Sequence, residues 1–160
     1  MTSDVSADLE LTPLNGASRP AREWTTTFHL ALVALDPFTL ESSWILETAL
    51  RVLRHYQEAD VRVAFCVTAT AEETRRFMGP LVDEFLVFTD PDRTVVRGLG
   101  FESLPGIAHL DQYGAVESIA SGWQPEQWRT VADNLSARMD WTDVLIPDVG
   151  DPSPFSGTAI

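Results

Sequence analysis

Two short apolar runs with a helical segment between them constrain this chain more than any other feature. Phe28 to Leu35 reads FHLALVAL, and Val61 to Thr68 reads VRVAFCVT. Runs of this length, apolar at nearly every position, suit strands covered on both faces. Asp36-Pro37 breaks the first run, because a residue before proline is pushed out of the helical region. Ser42 to Glu58 then follows a helical period, with Ile45, Ala49, Val52, Leu53 and Tyr56 on one face. Glu47, Arg51, Arg54 and Glu58 fall on the other face, Glu47 and Arg51 being four apart. In the second run Val61, Val63, Phe65 and Val67 share one side, and the small Ala64 and Cys66 share the other, where a helix can pack close. Strand, long helix and strand make a parallel crossover unit.

The alternation continues. Thr70-x-x-Glu73 is a capping box opening a helix that ends near Gly79-Pro80. Phe85 to Phe88 is a short third strand. Asp90-Pro91-Asp92 reads as a helix start, with an acidic N-cap and proline at the first helical position; that helix stops around Gly98 or Gly100. Ile107 to Leu110 and Ala115 to Ala120 then flank Asp111-Gln112-Tyr113-Gly114 as a hairpin. Gln124-Pro125-Glu126 opens a last helix burying Trp128, Val131, Ala132, Leu135 and Met139. The expected fold is α/β: a mixed central sheet of about five strands with helices on both faces. The expected strand order is 85–88, 61–68, 28–35, 107–110, 115–120.

This order resembles the thioredoxin-fold superfamily, a three-layer sandwich, and within it the peroxiredoxin and TlpA-like branch. Three stretches carry the likeness: Phe28 to Glu58, FTDPDRTVVRGLGF at Phe88 to Phe101, and LPGIAHLDQYGAV at Leu104 to Val116. The resemblance implies redox thiols at the start of the helix after the first core strand. That stretch is Asp36, Pro37, Phe38, Thr39, Leu40, Glu41, Ser42, Ser43, Trp44, with no cysteine. The C-x-x-C position falls near Leu40-Glu41-Ser42-Ser43, and the T-x-x-C position becomes Thr39-Leu40-Glu41-Ser42. A serine hydroxyl cannot replace the sulfur, because it does not form a thiolate or cycle through sulfenic acid and disulfide. The resemblance therefore implies a degenerate active site. It also implies a cis peptide in the loop Leu104, Pro105, Gly106, and a peptide-binding groove between that loop (Ser103 to Gly106) and Asp36 to Trp44.

Other candidate chemistry is weighed against plainer roles. Cys66 is the sole thiol and so the one possible reactive cysteine; in a central strand it reads first as a small buried apolar residue. Ser42 and Ser43 lack a nucleophile motif, and His29, His55 and His109 are the only imidazoles that could act as base. Thr39 and Ser42 read as helix caps. Asp36, Glu41, Asp90, Asp92 and Asp111 sit near strand ends, where such acids cap helices and fill turns. No metal and no cofactor is expected. Trp44, Trp123, Trp128 and Trp141 are divided between core packing and a partner surface, Trp44 lying beside the degenerate site.

Composition narrows the partners. The 160 residues carry 24 acids against 11 cations, a net charge of −13. That excludes duplex nucleic acid, which binds through neutralised phosphates, and argues against anionic membrane surfaces. All 11 cations are Arg, so no lysine Schiff base or P-loop lysine is available. One cysteine allows no intrachain disulfide. MTSDVSADLE has no basic or apolar signal pattern, and the apolar run Leu30 to Leu35 is too short for a span; a cytoplasmic protein is expected. Three regions are expected: a flexible segment 1–23 with a candidate edge strand at Glu10 to Leu14, a thioredoxin-like domain 24–141, and an extended acidic tail 142–160. The tail's Val144-Leu145-Ile146 and Phe155 are candidates for docking on a neighbour. The expected role is a redox-inactive binding, scaffold or accessory subunit with a protein partner and the option of self-association. The alternative is a thiol-dependent oxidoreductase or peroxidase using Cys66.

Overall fold

The computed structural model describes residues 7–160. The chain runs β1 (Glu10–Pro13), β2 (Arg19–Pro20), α1 (Ala21–Trp24), β3 (His29–Leu35), α2 (Leu40–Tyr56), β4 (Val61–Val67), α3 (Ala71–Met78) and α4 (Leu81–Glu84). It continues β5 (Leu86–Thr89), α5 (Thr94–Leu99), β6 (Ser103–Leu104), β7 (Gly106–Leu110), β8 (Val116–Ser121), α6 (Pro125–Met139) and β9 (Thr158–Ala159). One sheet has seven strands in the order β2-β1-β5-β4-β3-β7-β8. β3, β4 and β5 are parallel neighbours, while β7 and β8 add antiparallel on one side and β1 on the other. This is a thioredoxin-like fold. The five strands read from the sequence stand in the expected order; β1 and β2 extend the sheet past β5.

β3 is central because all seven of its residues are buried. Its alternate residues feed two cores. Ala31, Val33 and Leu35 meet Ile45, Ala49, Val52 and Leu53 of α2 and Trp128, Val131 and Leu135 of α6. Leu30, Leu32 and Ala34 meet Trp24 of α1 and Val95, Val96 and Leu99 of α5. Ala64 and Cys66 lie in the second core, where their small size admits α5 and α1. Tyr56 donates to the Ala132 carbonyl at 3.0 Å and bonds the Ser136 hydroxyl at 2.7 Å, tying α2 to α6. The capping box at Thr70 and Glu73 is present with both reciprocal bonds.

Three expectations change. Within the expected flexible segment, residues 1–6 lie outside the described residues; the candidate edge strand at Glu10 to Leu14 forms as β1, but it pairs with β2 as well as β5, and Leu11 is buried in the second core. The helix expected at Asp90-Pro91-Asp92 begins at Thr94, after Arg93 at φ 61°. Asp90 still caps it, its carboxylate accepting the Val95 and Val96 amides at 3.1 and 3.0 Å. The segment 142–160 is extended but folds back along the domain rather than standing apart. Asp151 accepts from Thr48 and Arg51 of α2, both at 2.7 Å. The Trp123 indole donates to the Pro152 carbonyl at 2.7 Å, and the Trp123 and Phe155 backbones exchange two hydrogen bonds. β9 then pairs with β6. Proline and glycine deny this segment a period, and backbone hydrogen bonds dock it instead.

Candidate functional site

At the C-terminal end of β3 the chain turns through Asp36-Pro37-Phe38-Thr39 into α2. The turn is held by short polar contacts. The Asp36 amide donates to Ser42 Oγ at 2.9 Å, and Thr39 Oγ1 donates to the Asp36 carbonyl at 3.0 Å and to Ser42 Oγ at 3.4 Å. Thr39 is the N-cap residue by position, yet its side chain caps no helix amide; both hydroxyls lock the turn instead. Asp36 is buried, accepts the Phe38 amide at 3.0 Å, and pairs with Arg93 at 2.7 Å. Ser42 is buried, so it offers no exposed nucleophile.

Across from this turn, Leu104-Pro105 is a cis peptide, as the resemblance implied; Ile146-Pro147 is a second one that the sequence reading missed. The groove beside the cis-proline loop is not open. Ser103 pairs with Ala159 and Leu104 with Thr158, Ser103 Oγ donates to the Ser156 carbonyl at 2.7 Å, and Phe155 meets Trp44 edge to face at 5.8 Å. Gly157 makes this approach possible. Its φ is +82°, and a Cβ there would stand 2.6 Å from the Leu104 carbonyl oxygen. On the α2 side, Phe38, Leu40 and Trp44 remain 67%, 70% and 54% exposed.

Cys66 lies in β4 with 0% exposure. Burial, with the Asp90 carboxylate adding to it, pushes its thiol pKa well up, the reverse of what a reactive thiolate needs. The other sequence candidates scatter. Asp111 Oδ1 accepts the Tyr113 and Ala115 amides at 2.8 and 3.1 Å, which shapes the β7–β8 hairpin. Glu41 lies in the first turn of α2 and Asp92 is exposed. These acids stand in turn and cap positions, as read from the sequence. Trp123 and Trp128 are core, Trp44 is exposed, and Trp141 donates to the His55 carbonyl at 2.9 Å. Val144 and Ile146 dock on the chain's own first core.

One cluster escaped sequence reasoning. At the opposite end of β3, His29 Nδ1 faces His109 Nε2 at 2.8 Å. His109 sits opposite Ala31 on β7, and Ala31 shares a sheet face with His29. β7 and β8 slip register here, pairing His109 with Ser118 and Leu110 with Val116. Glu117 is therefore the extra residue of a β-bulge, a device that re-aims a side chain. Its Oε2 lies 3.4 Å from His109 Nδ1 while Arg138 holds Oε1 at 2.7 Å. Asn134 of α6 reaches both His109 Nδ1 and Glu117 Oε2, at 3.2 and 3.3 Å. Burial, then the neighbouring His29 and Arg138, lowers the His109 pKa to about 3. Burial likewise lowers that of His29, against the pull of Glu117. Both rings are neutral at pH 7. They are 80 positions apart in sequence, and only the strand register unites them.

Solved structures share the architecture. The chain superposes on dsbF of Mycobacterium tuberculosis with a TM-score of 0.64 at 17% identity, covering 85% of this chain and 96% of that one. The pneumococcal exposed lipoprotein thioredoxin Etrx1 of Streptococcus pneumoniae gives 0.61 at 16%, covering 84% and 98%. The bacterioferritin comigratory protein of Xanthomonas campestris, studied for alkyl peroxide reduction, gives 0.64 at 13%, covering 88% and 95%. At these identities the likeness establishes the thioredoxin-like fold. No protein-family model matches the sequence, and no curated protein matches it.

Proposed function

We propose that this protein is a redox-inactive member of the peroxiredoxin and TlpA-like branch, acting as a protein-binding scaffold or accessory subunit. One observation carries the reading: the turn where the fold presents sulfur holds Thr39 to Ser43 without cysteine, while the sole thiol is fully buried. Disulfide exchange needs an accessible thiolate, and Cys66 has neither access nor a lowered pKa. The binding face is the exposed trio Phe38, Leu40 and Trp44 at the rim of the turn into α2. Apolar side chains gathered at such a rim fit a protein partner better than a small polar ligand.

The test is an insulin-reduction and peroxide-turnover assay on the native protein and on Cys66→Ala. Neither protein is expected to turn over. Turnover abolished by Cys66→Ala would replace this reading with the one-cysteine oxidoreductase. For the binding half, partners recovered with the native protein should be lost with Leu40→Asp and Trp44→Asp while the circular dichroism spectrum is unchanged. Retention of every partner by both variants would move the binding face elsewhere.

A further inference from the structure

The histidine cluster stands at the pole opposite the degenerate turn, and nothing in the binding role uses it. A ring nitrogen of His29, a ring nitrogen of His109 and a carboxylate oxygen of Glu117 lie within 4.8 Å of one another. No other group of three His, Cys, Asp or Glu among the described residues meets that spacing. We propose that these three side chains bind a borderline divalent transition-metal ion such as zinc.

The donor set suits that ion, since imidazole and carboxylate are the ligands zinc takes besides thiolate. Three protein ligands leave the fourth corner to solvent, and His29 lines a polar cleft of about 510 Å³ with Thr27, Asp60, Gln112 and Arg138. An ion with bonds of about 2.0–2.1 Å holds tetrahedral nitrogen ligands about 3.3 Å apart. His29 Nδ1 and His109 Nε2, now 2.8 Å apart, need to part by roughly half an ångström, and the Glu117 carboxylate, now 3.4 Å from Nδ1 of the same ring, has to turn toward the Nε2 edge to share that ion; His29 is the first residue of its strand. The supporting shell is present. Arg138 fixes one Glu117 oxygen and leaves the other facing His109, and Asn134 braces both. Outer partners of this kind orient metal ligands. The bulge at Glu117 breaks the strand ladder, and it delivers the carboxylate to this face.

Calorimetric titration of the chelator-stripped full-length protein with zinc chloride at pH 7.5 tests the site. One equivalent should bind, and zinc should raise the melting temperature. Cobalt(II) should give the intense visible bands of a four-coordinate ion. His29→Ala and Glu117→Gln should each weaken zinc binding at least 10-fold, and Asn134→Ala by about 10–100-fold as an outer partner. Circular dichroism shows whether each variant is folded. Absence of binding to the native protein overturns the site, and the cluster is then a buried hydrogen-bond chain only. Equal binding by native protein and a folded His29→Ala variant also overturns it, assigning the zinc to surface carboxylates.

Discussion

His109 sets the acid sensitivity of the metal-free protein. Around it stand His29, Glu117, Arg138 and Asp111; burial, with His29 and Arg138 adding to it, outweighs the pull of Asp111 and leaves the imidazole titrating at about 3 in place of 6.5. Between those values the unfolded chain holds a proton on this ring and the folded chain does not. Stability from this group is thus complete above pH 6.5 and lost as the pH falls toward 3. The loss by pH 5 is about 2 kcal/mol, at roughly 1.4 kcal/mol per unit. Denaturant melts in chelator at pH 7 and pH 5 should show it, and His109→Gln should flatten the difference. A His109→Gln profile as steep as the native one would assign the acid sensitivity to other groups. Arg93 answers to a different rule. It is the partner of the buried Asp36 carboxylate at 2.7 Å, and Arg93→Met leaves that charge with only the Phe38 amide on its other oxygen. A cost of about 1–3 kcal/mol is expected, read from the midpoint of urea unfolding; an unchanged midpoint would mean that solvent replaces the guanidinium without penalty.

The elements differ in how openly the sequence declares them. β3 and β4 announce themselves because burial on both faces demands unbroken apolar runs, and the hairpin does so because Gly114 closes it at φ 77°. The turn into α2 was legible from Asp36-Pro37, and its lack of cysteine from the residues between Asp36 and Trp44. The start of α5 was misplaced because Arg93 adopts a left-handed conformation that side chains rarely take. β9 was invisible: a two-residue strand is held by backbone pairing to β6, and its composition only reads as tail. The histidine cluster was invisible for a related reason, since a register slip at Glu117 leaves no mark on composition. β9 carries the prediction at this scale. Deleting residues 153–160 removes the strand from Ser103 and Leu104 and uncovers Trp123. The melting temperature should fall, and the amide of Leu104 should exchange faster. A synthetic peptide SPFSGTAI added to the truncated protein should restore the lost stability by mass action, while adding nothing to the full chain, whose own strand occupies the edge. A truncated protein that melts like the native one would make the pairing energetically idle.

Across the whole molecule, the central strand separates two poles with different chemistry. The turn into α2, the cis-proline loop and β9 gather at the end marked by Leu35, and the histidine cluster at the end marked by His29. Six strand steps of about 3.3 Å put them roughly 20 Å apart. No titrating group is shared between them, since Arg93 pairs with Asp36 and Arg138 with Glu117. Packed side chains of β3, all buried, fill the span between. Sites this far apart without common partners add in free energy to within about 0.5 kcal/mol. The double variant Arg93→Met with His29→Ala should therefore cost the sum of its parts in urea unfolding. Zinc affinity should be the same in Arg93→Met and in the native protein. A coupling above about 1 kcal/mol would show that β3 has two discrete arrangements which both poles bias. The absence of coupling would show a rigid divider, with the proposed partner face at one end and the proposed ion site at the other each indifferent to the state of its neighbour.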